Sequence, residues 1–156
     1  MGDFEKFYNS SLRFLSYRPR SEKEVRDKLK SKKASSEIIE KIITKLKEKK
    51  FINDEEFAKL WIESRTRFKP RSLRLIKMEL KQKGIDDEII ESGIKKQELG
   101  VDSDLEQARR LLAKKVERSF GKLRMTREKL GRYLASKGFG WDTIKRSIDE
   151  VLNKGV

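Results

Sequence analysis

The sequence contains no cysteine and no histidine. The first absence rules out disulfides and thiolate metal sites. The second rules out imidazole ligands, and together they remove Cys–His and Ser–His–Asp catalysis. Proline occurs only at Pro19 and Pro70, so the few breaks that proline imposes can be read one by one. The glycines stand singly and build no glycine-rich phosphate loop. No apolar run reaches the roughly eighteen residues that would cross a bilayer, and the start MGDFEKFYNSSLRF lacks the basic and apolar segments of a signal peptide. The expectation is a soluble, cytoplasmic protein without a membrane partner.

Charge is what the chain has in excess. Forty Lys and Arg against 26 Asp and Glu leave a net +14, which attracts polyanions such as nucleic acid, acidic proteins or anionic lipid without choosing among them. Apolar residues are spaced rather than scattered, which predicts a folded chain with a charged surface.

The spacing repeats three times. Leu29, Leu80 and Leu134 serve as anchors 51 and 54 residues apart, and equivalent residues recur at fixed offsets from them. Eight positions before each stands a hydroxyl residue, Ser21, Ser72 or Thr126, placed to cap a helix; Ser21 with Glu24 reads as a capping box. Four before stand Val25, Ile76 and Leu130, which share a helical face with the anchor. Four after stand Lys33, Gly84 and Gly138. Glycine there predicts a left-handed helix end, and Lys33 departs from the pattern. The pairs Ile39/Ile43, Ile90/Ile94 and Ile144/Ile148 then mark a following helix.

A further apolar-periodic stretch precedes each pair: Phe4 to Leu15, Phe57 to Ile62 and Leu105 to Val116. Asn53 or Asp54 caps the second of these, and the third begins near Val101. The reading is all-α: a tandem array of three three-helix, helix-turn-helix-like repeats spanning 1–52, 53–99 and 100–156. The stretch Gly93 to Gly100 is the one candidate for a flexible linker. Pro19 and Pro70 stop one helix two residues before the cap of the next, whereas the third repeat writes Arg124-Met125-Thr126 without proline, predicting a looser start or a longer first helix.

The candidate binding residues are basic. Between Arg65 and Lys83 eight cations face the single acid Glu79. Arginine forks hold phosphate or carboxylate bidentately, and Arg20 and Arg71 sit beside helix caps. The partner-binding set is Arg18, Arg20, Arg65, Arg67, Lys69, Arg71, Arg74, Lys77, Arg127 and Arg132. Lys32, Lys83 and Lys137 read as last-turn complements to the helix dipole. Phe57, Trp61 and Phe139 read as core rather than as base-stacking residues. The acidic run Asp54-Glu55-Glu56 splays around a helix and makes no metal site. No catalytic, cofactor-binding or metal-binding residue is indicated, and no enzyme is expected.

The segments RPRSEKEVRDKL at 18–29, INDEEFA at 52–58 and LKQKGIDDEII at 80–90 resemble the RecX family of recombination regulators, and the resemblance runs from residue 10 to about 152. It implies an elongated, curved, all-helical array of three three-helix units. It also implies a regulator that binds the RecA recombinase filament on DNA and, as is usual in the family, inhibits its ATPase, strand exchange and coprotease activities; a monomer is expected. The alternative from the residues alone is a direct, sequence-independent nucleic-acid binder. Its second helices carry mainly lysine and only Gln82 as a base-edge reader, which favours backbone or protein contact, with weak electrostatic DNA binding in support.

Overall fold

The computed structural model describes residues 2–99, 101–118 and 126–154. Among them lie nine α-helices in three successive threes, and no strand. The first three are α1 (Asp3–Tyr17), α2 (Glu22–Ser31) and α3 (Ser36–Glu48). The second are α4 (Asp54–Arg67), α5 (Leu73–Gln82) and α6 (Asp87–Lys96), and the third α7 (Val101–Arg118), α8 (Arg127–Ser136) and α9 (Trp141–Lys154). Half of the Gly93–Gly100 stretch is helix and not linker: α6 runs through Gly93 to Lys96, and the chain turns at Glu98 with φ 54°. Arg124 and Met125, where the third repeat lacks its proline, lie outside the described residues.

Contacts divide the chain into two compact units, Met1–Trp61 with Leu80–Gly93 and Ile62–Glu79 with Ile94–Val156. In the first, α1, α2 and α3 pack around Val25, Leu29, Ile39, Ile42, Ile43 and Leu46. In the second, α7, α8 and α9 pack around Ala108, Leu112, Leu130, Leu134, Ile144 and Ile148. The three anchors are 1%, 0% and 0% exposed, so the repeat register is also the core register. Each fully buried Leu or Ile side chain contributes roughly 1.5–3 kcal/mol of transfer free energy. Phe57 and Phe139 are buried, and Trp61 stacks on Phe57 at 5.7 Å.

The caps form as the spacing predicts. Ser21 Oγ accepts from the Glu24 N–H at 3.2 Å while Glu24 accepts from the Ser21 N–H; Ser72 Oγ accepts from Leu75 at 3.1 Å and Thr126 Oγ1 from Lys129 at 3.1 Å. Arg18, held before Pro19, is fully extended at φ −168°, which ends α1. The turns after α2, α5 and α8 share one geometry. Residues Lys33, Gly84 and Gly138 have φ of 65°, 78° and 88°, and the next residue's N–H bonds back to the anchor carbonyl of Leu29, Leu80 or Leu134. Lys33 thus adopts the glycine conformation, and its departure in sequence is no departure in structure.

Candidate functional site

The glycines at 84 and 138 answer to more than φ. A Cβ on Gly84 would lie 2.5 Å from Lys23 Cβ, and one on Gly138 would lie 2.6 Å from Ser72 Oγ and 2.8 Å from Leu75 Cβ. Each turn is pressed against the start of the preceding repeat's second helix. The contact is made twice with the same parts. In the first unit Ser21 Oγ donates to the Lys83 carbonyl at 2.7 Å, and the Glu22 N–H donates to Asp54 Oδ1 at 2.9 Å. In the second unit the Ser72 N–H donates to the Lys137 carbonyl at 3.2 Å, and the Leu73 N–H donates to Asp104 Oδ1 at 2.8 Å. The helix cap of one repeat therefore receives a turn and an aspartate from the next. Asn53 caps α4 itself, through the Glu56 N–H, which frees Asp54 for α2.

Burial pushes the Asp104 carboxyl above its ordinary range, against the hydrogen bond from Leu73 that lowers it; Asp54 is raised likewise, chiefly by burial. Asp104→Ala should cost about 1–2 kcal/mol, because the Leu73 N–H loses its acceptor, whereas Asp104→Asn keeps an acceptor and should stay within about 0.5 kcal/mol. A raised carboxyl favours the folded state most when protonated, and that advantage is lost as pH rises through its folded pKa. The Asn variant should therefore gain on the parent chain as pH climbs from below 3.8 to neutral, as followed by urea unfolding.

The joint sets cations side by side, and the two joints treat them differently. In the first unit Arg18, Arg20 and Lys83 converge on Glu24, at 2.5, 3.6 and 3.8 Å. Burial pushes the Glu24 carboxyl up, but the Arg18 guanidinium and the Ser21 N–H outweigh it and hold it below the usual carboxylate range. Arg20 also lies over the Phe14 ring at 3.9 Å. Both first-repeat candidates are thus occupied within the fold.

In the second unit the register positions of Arg18, Arg20 and Lys83 are filled by Lys69, Arg71 and Lys137, and that of Glu24 by Leu75. Leu75 cannot gather the cations as Glu24 does, and Arg71 turns to Glu79, whose carboxylate lies 3.4 Å from its Nε. These three cations line a cleft of about 470 Å³ with Lys114 and Lys115 of α7, and among the described residues no acidic side chain lines it. Tyr133 stands between Lys115 and Lys137, whose ammonium groups lie 4.8 and 5.6 Å from its ring centroid. Phe68, also in the lining, is 72% exposed. The backbone bond from Ser72 to Lys137 ties the residue after Arg71 to Lys137, and both cations line the cleft.

The remaining candidates scatter. Arg65 pairs with Glu79 at 2.6 Å, and Arg71 Nε lies 3.4 Å from the same carboxylate without hydrogen-bond alignment. Arg67 and Arg74 are exposed and Lys77 is half-buried; none lines the cleft. Arg110 donates to the carbonyls of Thr66 and Arg67, the latter at 2.8 Å, and so caps the end of α4. Arg127 pairs with Asp149 at 2.5 Å and Arg132 with Glu128 at 3.9 Å. The sequence reading thus reached Lys69 and Arg71, gave Lys137 a dipole role, and missed Lys114, Lys115 and Tyr133. The basic run Arg109, Arg110, Lys114, Lys115 was the available signal. Among the described residues no acidic cluster is arranged to hold a metal ion, and no helix is long and apolar enough to cross a membrane.

Family profiles match the chain in succession: RecX, first three-helix domain, over residues 8–46; the second over 53–94; the third over 102–148. The regulatory protein RecX of Prosthecochloris aestuarii is 34% identical over 150 residues, covering 96% of each chain. That of Finegoldia magna is 37% identical over 92% of this chain and 70% of its own. The chain spans only 54% of the length of the Geobacillus counterpart, at 36% identity. The crystal structure of RecX from Lactobacillus salivarius superposes with a TM-score of 0.75 at 34% identity, covering 95% of this chain and 96% of the other. The chain belongs to the RecX family of regulatory proteins, whose three three-helix domains it carries in tandem.

Proposed function

We propose that this chain regulates RecA by binding the RecA filament on DNA and lowering its ATPase, with strand exchange and coprotease activity falling in consequence. It acts by occupancy rather than catalysis. The family supports RecA as the target, and the observation that carries the mode of binding is the cleft lined by Lys69, Arg71, Lys114, Lys115 and Lys137. Five cations around one opening favour a phosphodiester backbone, and exposed Phe68 offers a face for an unstacked base. The DNA in the filament is the anion that the cleft receives.

Adding the protein to RecA assembled on single-stranded DNA should lower ATP hydrolysis in a saturable way. Unchanged hydrolysis, with no binding to the filament, sinks the proposal. A second reading, direct binding to free nucleic acid, draws on the same cleft. If about four phosphates are neutralised, log affinity for duplex DNA should fall with log salt at a slope near −3.6, and a flat dependence removes the electrostatic basis of both readings. Tight, specific binding of free DNA without any effect on the filament would leave the second reading standing alone.

A further inference from the structure

The third repeat carries a groove that the first repeat closes. In the first repeat the outer face between α2 and α3 is bridged by Arg26, which bonds Glu40 through both guanidinium nitrogens, Nη2 at 3.1 Å. The same register positions in the third repeat hold Gly131 and Lys145, which form no such bridge. A groove of about 540 Å³ lies there between α8 and α9, lined by Gly131, Ala135, Trp141, Ile144 and Ile148. Trp141 is 72% exposed, at the position where the other repeats place Ser36 and Asp87.

Gly131 has no backbone reason to be glycine. It lies inside α8, its φ is not positive, and an added Cβ would meet only Ile144 and Ile148 at ordinary contact distances of 3.8 and 3.9 Å. A glycine inside a helix costs roughly 1 kcal/mol relative to alanine. Here it leaves the groove open. The rim carries a cationic excess: Arg127, Arg132 and Lys145 line it with Glu128, and with Asp149, paired to Arg127, the cations exceed the acids three to two. The N-terminal ends of α8 and α9 both lie at this face, at Arg127 and Trp141, and add positive potential.

We infer that the α8/α9 groove of the third repeat is a docking site for an acidic amphipathic segment of a partner protein. Apolar side chains of that segment pack on Trp141 and Ala135, and its carboxylates meet Arg132 and Lys145. Charge complementarity selects this occupant. A second copy of a chain with net charge +14 would bring a cationic rim against a cationic body, and a nucleic-acid backbone has no apolar side chains for the floor. An exposed tryptophan beside small residues is the usual anchor of such a contact. The inference does not depend on how the chain acts on RecA.

The test uses the full chain with Trp61→Phe, which leaves Trp141 as the only indole. The probe is a synthetic acidic peptide with a Leu-x-x-x-Phe pair among aspartates and glutamates. Its addition should blue-shift Trp141 emission saturably, with a dissociation constant on the order of 10 μM by analogy with single-helix contacts. Gly131→Arg with Lys145→Glu writes the first repeat's bridge into the third and should weaken binding at least tenfold with helical content retained. Ala135→Glu, at an exposed helical position, should do the same and stands in if the double variant does not fold. Equal affinity for both variants overturns the inference. So does equal binding of a peptide whose Leu and Phe are replaced by serine, or a groove-dependent dimer in sedimentation that the peptide does not disperse.

Discussion

Gly138→Ala should destabilise the second unit by about 3 kcal/mol or more, while Lys33→Gly, at the same position of the first repeat, should change stability by less than about 1 kcal/mol. The two residues share a left-handed φ, 88° and 65°, and the same hydrogen bond from the following residue to the anchor carbonyl. Backbone strain alone would put each alanine or lysine about 1–2 kcal/mol above glycine, and glycine's greater freedom in the unfolded chain offsets roughly 0.4–1 kcal/mol of that. What separates them is the neighbour. A Cβ at 138 meets Ser72 Oγ at 2.6 Å and Leu75 Cβ at 2.8 Å, and neither can withdraw without breaking the cap of α5 or the Ser72–Lys137 bond. Lys33 belongs to the first repeat and is exposed, so its side chain meets no such joint. Urea unfolding of both variants checks the pair. A loss at 138 no larger than the gain at 33 would mean that the conformation alone, and not the joint, requires glycine.

That contrast marks how much was legible in the sequence. Capping serines, anchors and the glycine turns are local patterns, fixed by offsets of eight residues or fewer, and all three repeats obey them. The joint is not local. Ser21 and Lys83 are 62 residues apart, Leu73 and Asp104 are 31, and the aspartates recur 50 residues apart while their partners recur at 51, so no fixed offset from one anchor brings them together. Asp54 reads from sequence as an alternative cap for its own helix, because that is the nearer use of an aspartate at a helix start. The cleft shows the same division. Lys69 and Arg71 stand out as a local basic cluster, but Lys114, Lys115 and Tyr133 join them only through the packing of α7 and α8. Glu24 was recognisable as half of a capping box; that it also neutralises Arg18 and Arg20 depends on where Lys83 and the chain before Pro19 come to rest.

From Glu24 and Leu75 follows the larger functional prediction. Replacing Lys69, Lys114 and Lys137 together by glutamate should weaken binding to the RecA filament on DNA by two orders of magnitude or more, since three attractions become three repulsions around one opening. If each lysine neutralises one phosphate, the log–log salt slope on duplex should also flatten by about 2.7. The side chains of Lys69 and Lys114 are exposed and Lys137 is half-buried against Tyr133, so helical content should persist. The control is Arg18→Gln with Glu24→Gln, which removes one charge of each sign from the first unit's closed cluster and leaves the net charge at +14. Filament affinity there should change by no more than a few fold. If the control matches the triple variant, the first repeat's arginines carry the contact and the cleft does not. If neither variant weakens binding, the filament is held by another face of the chain, and the basic excess serves only to bring the protein to DNA.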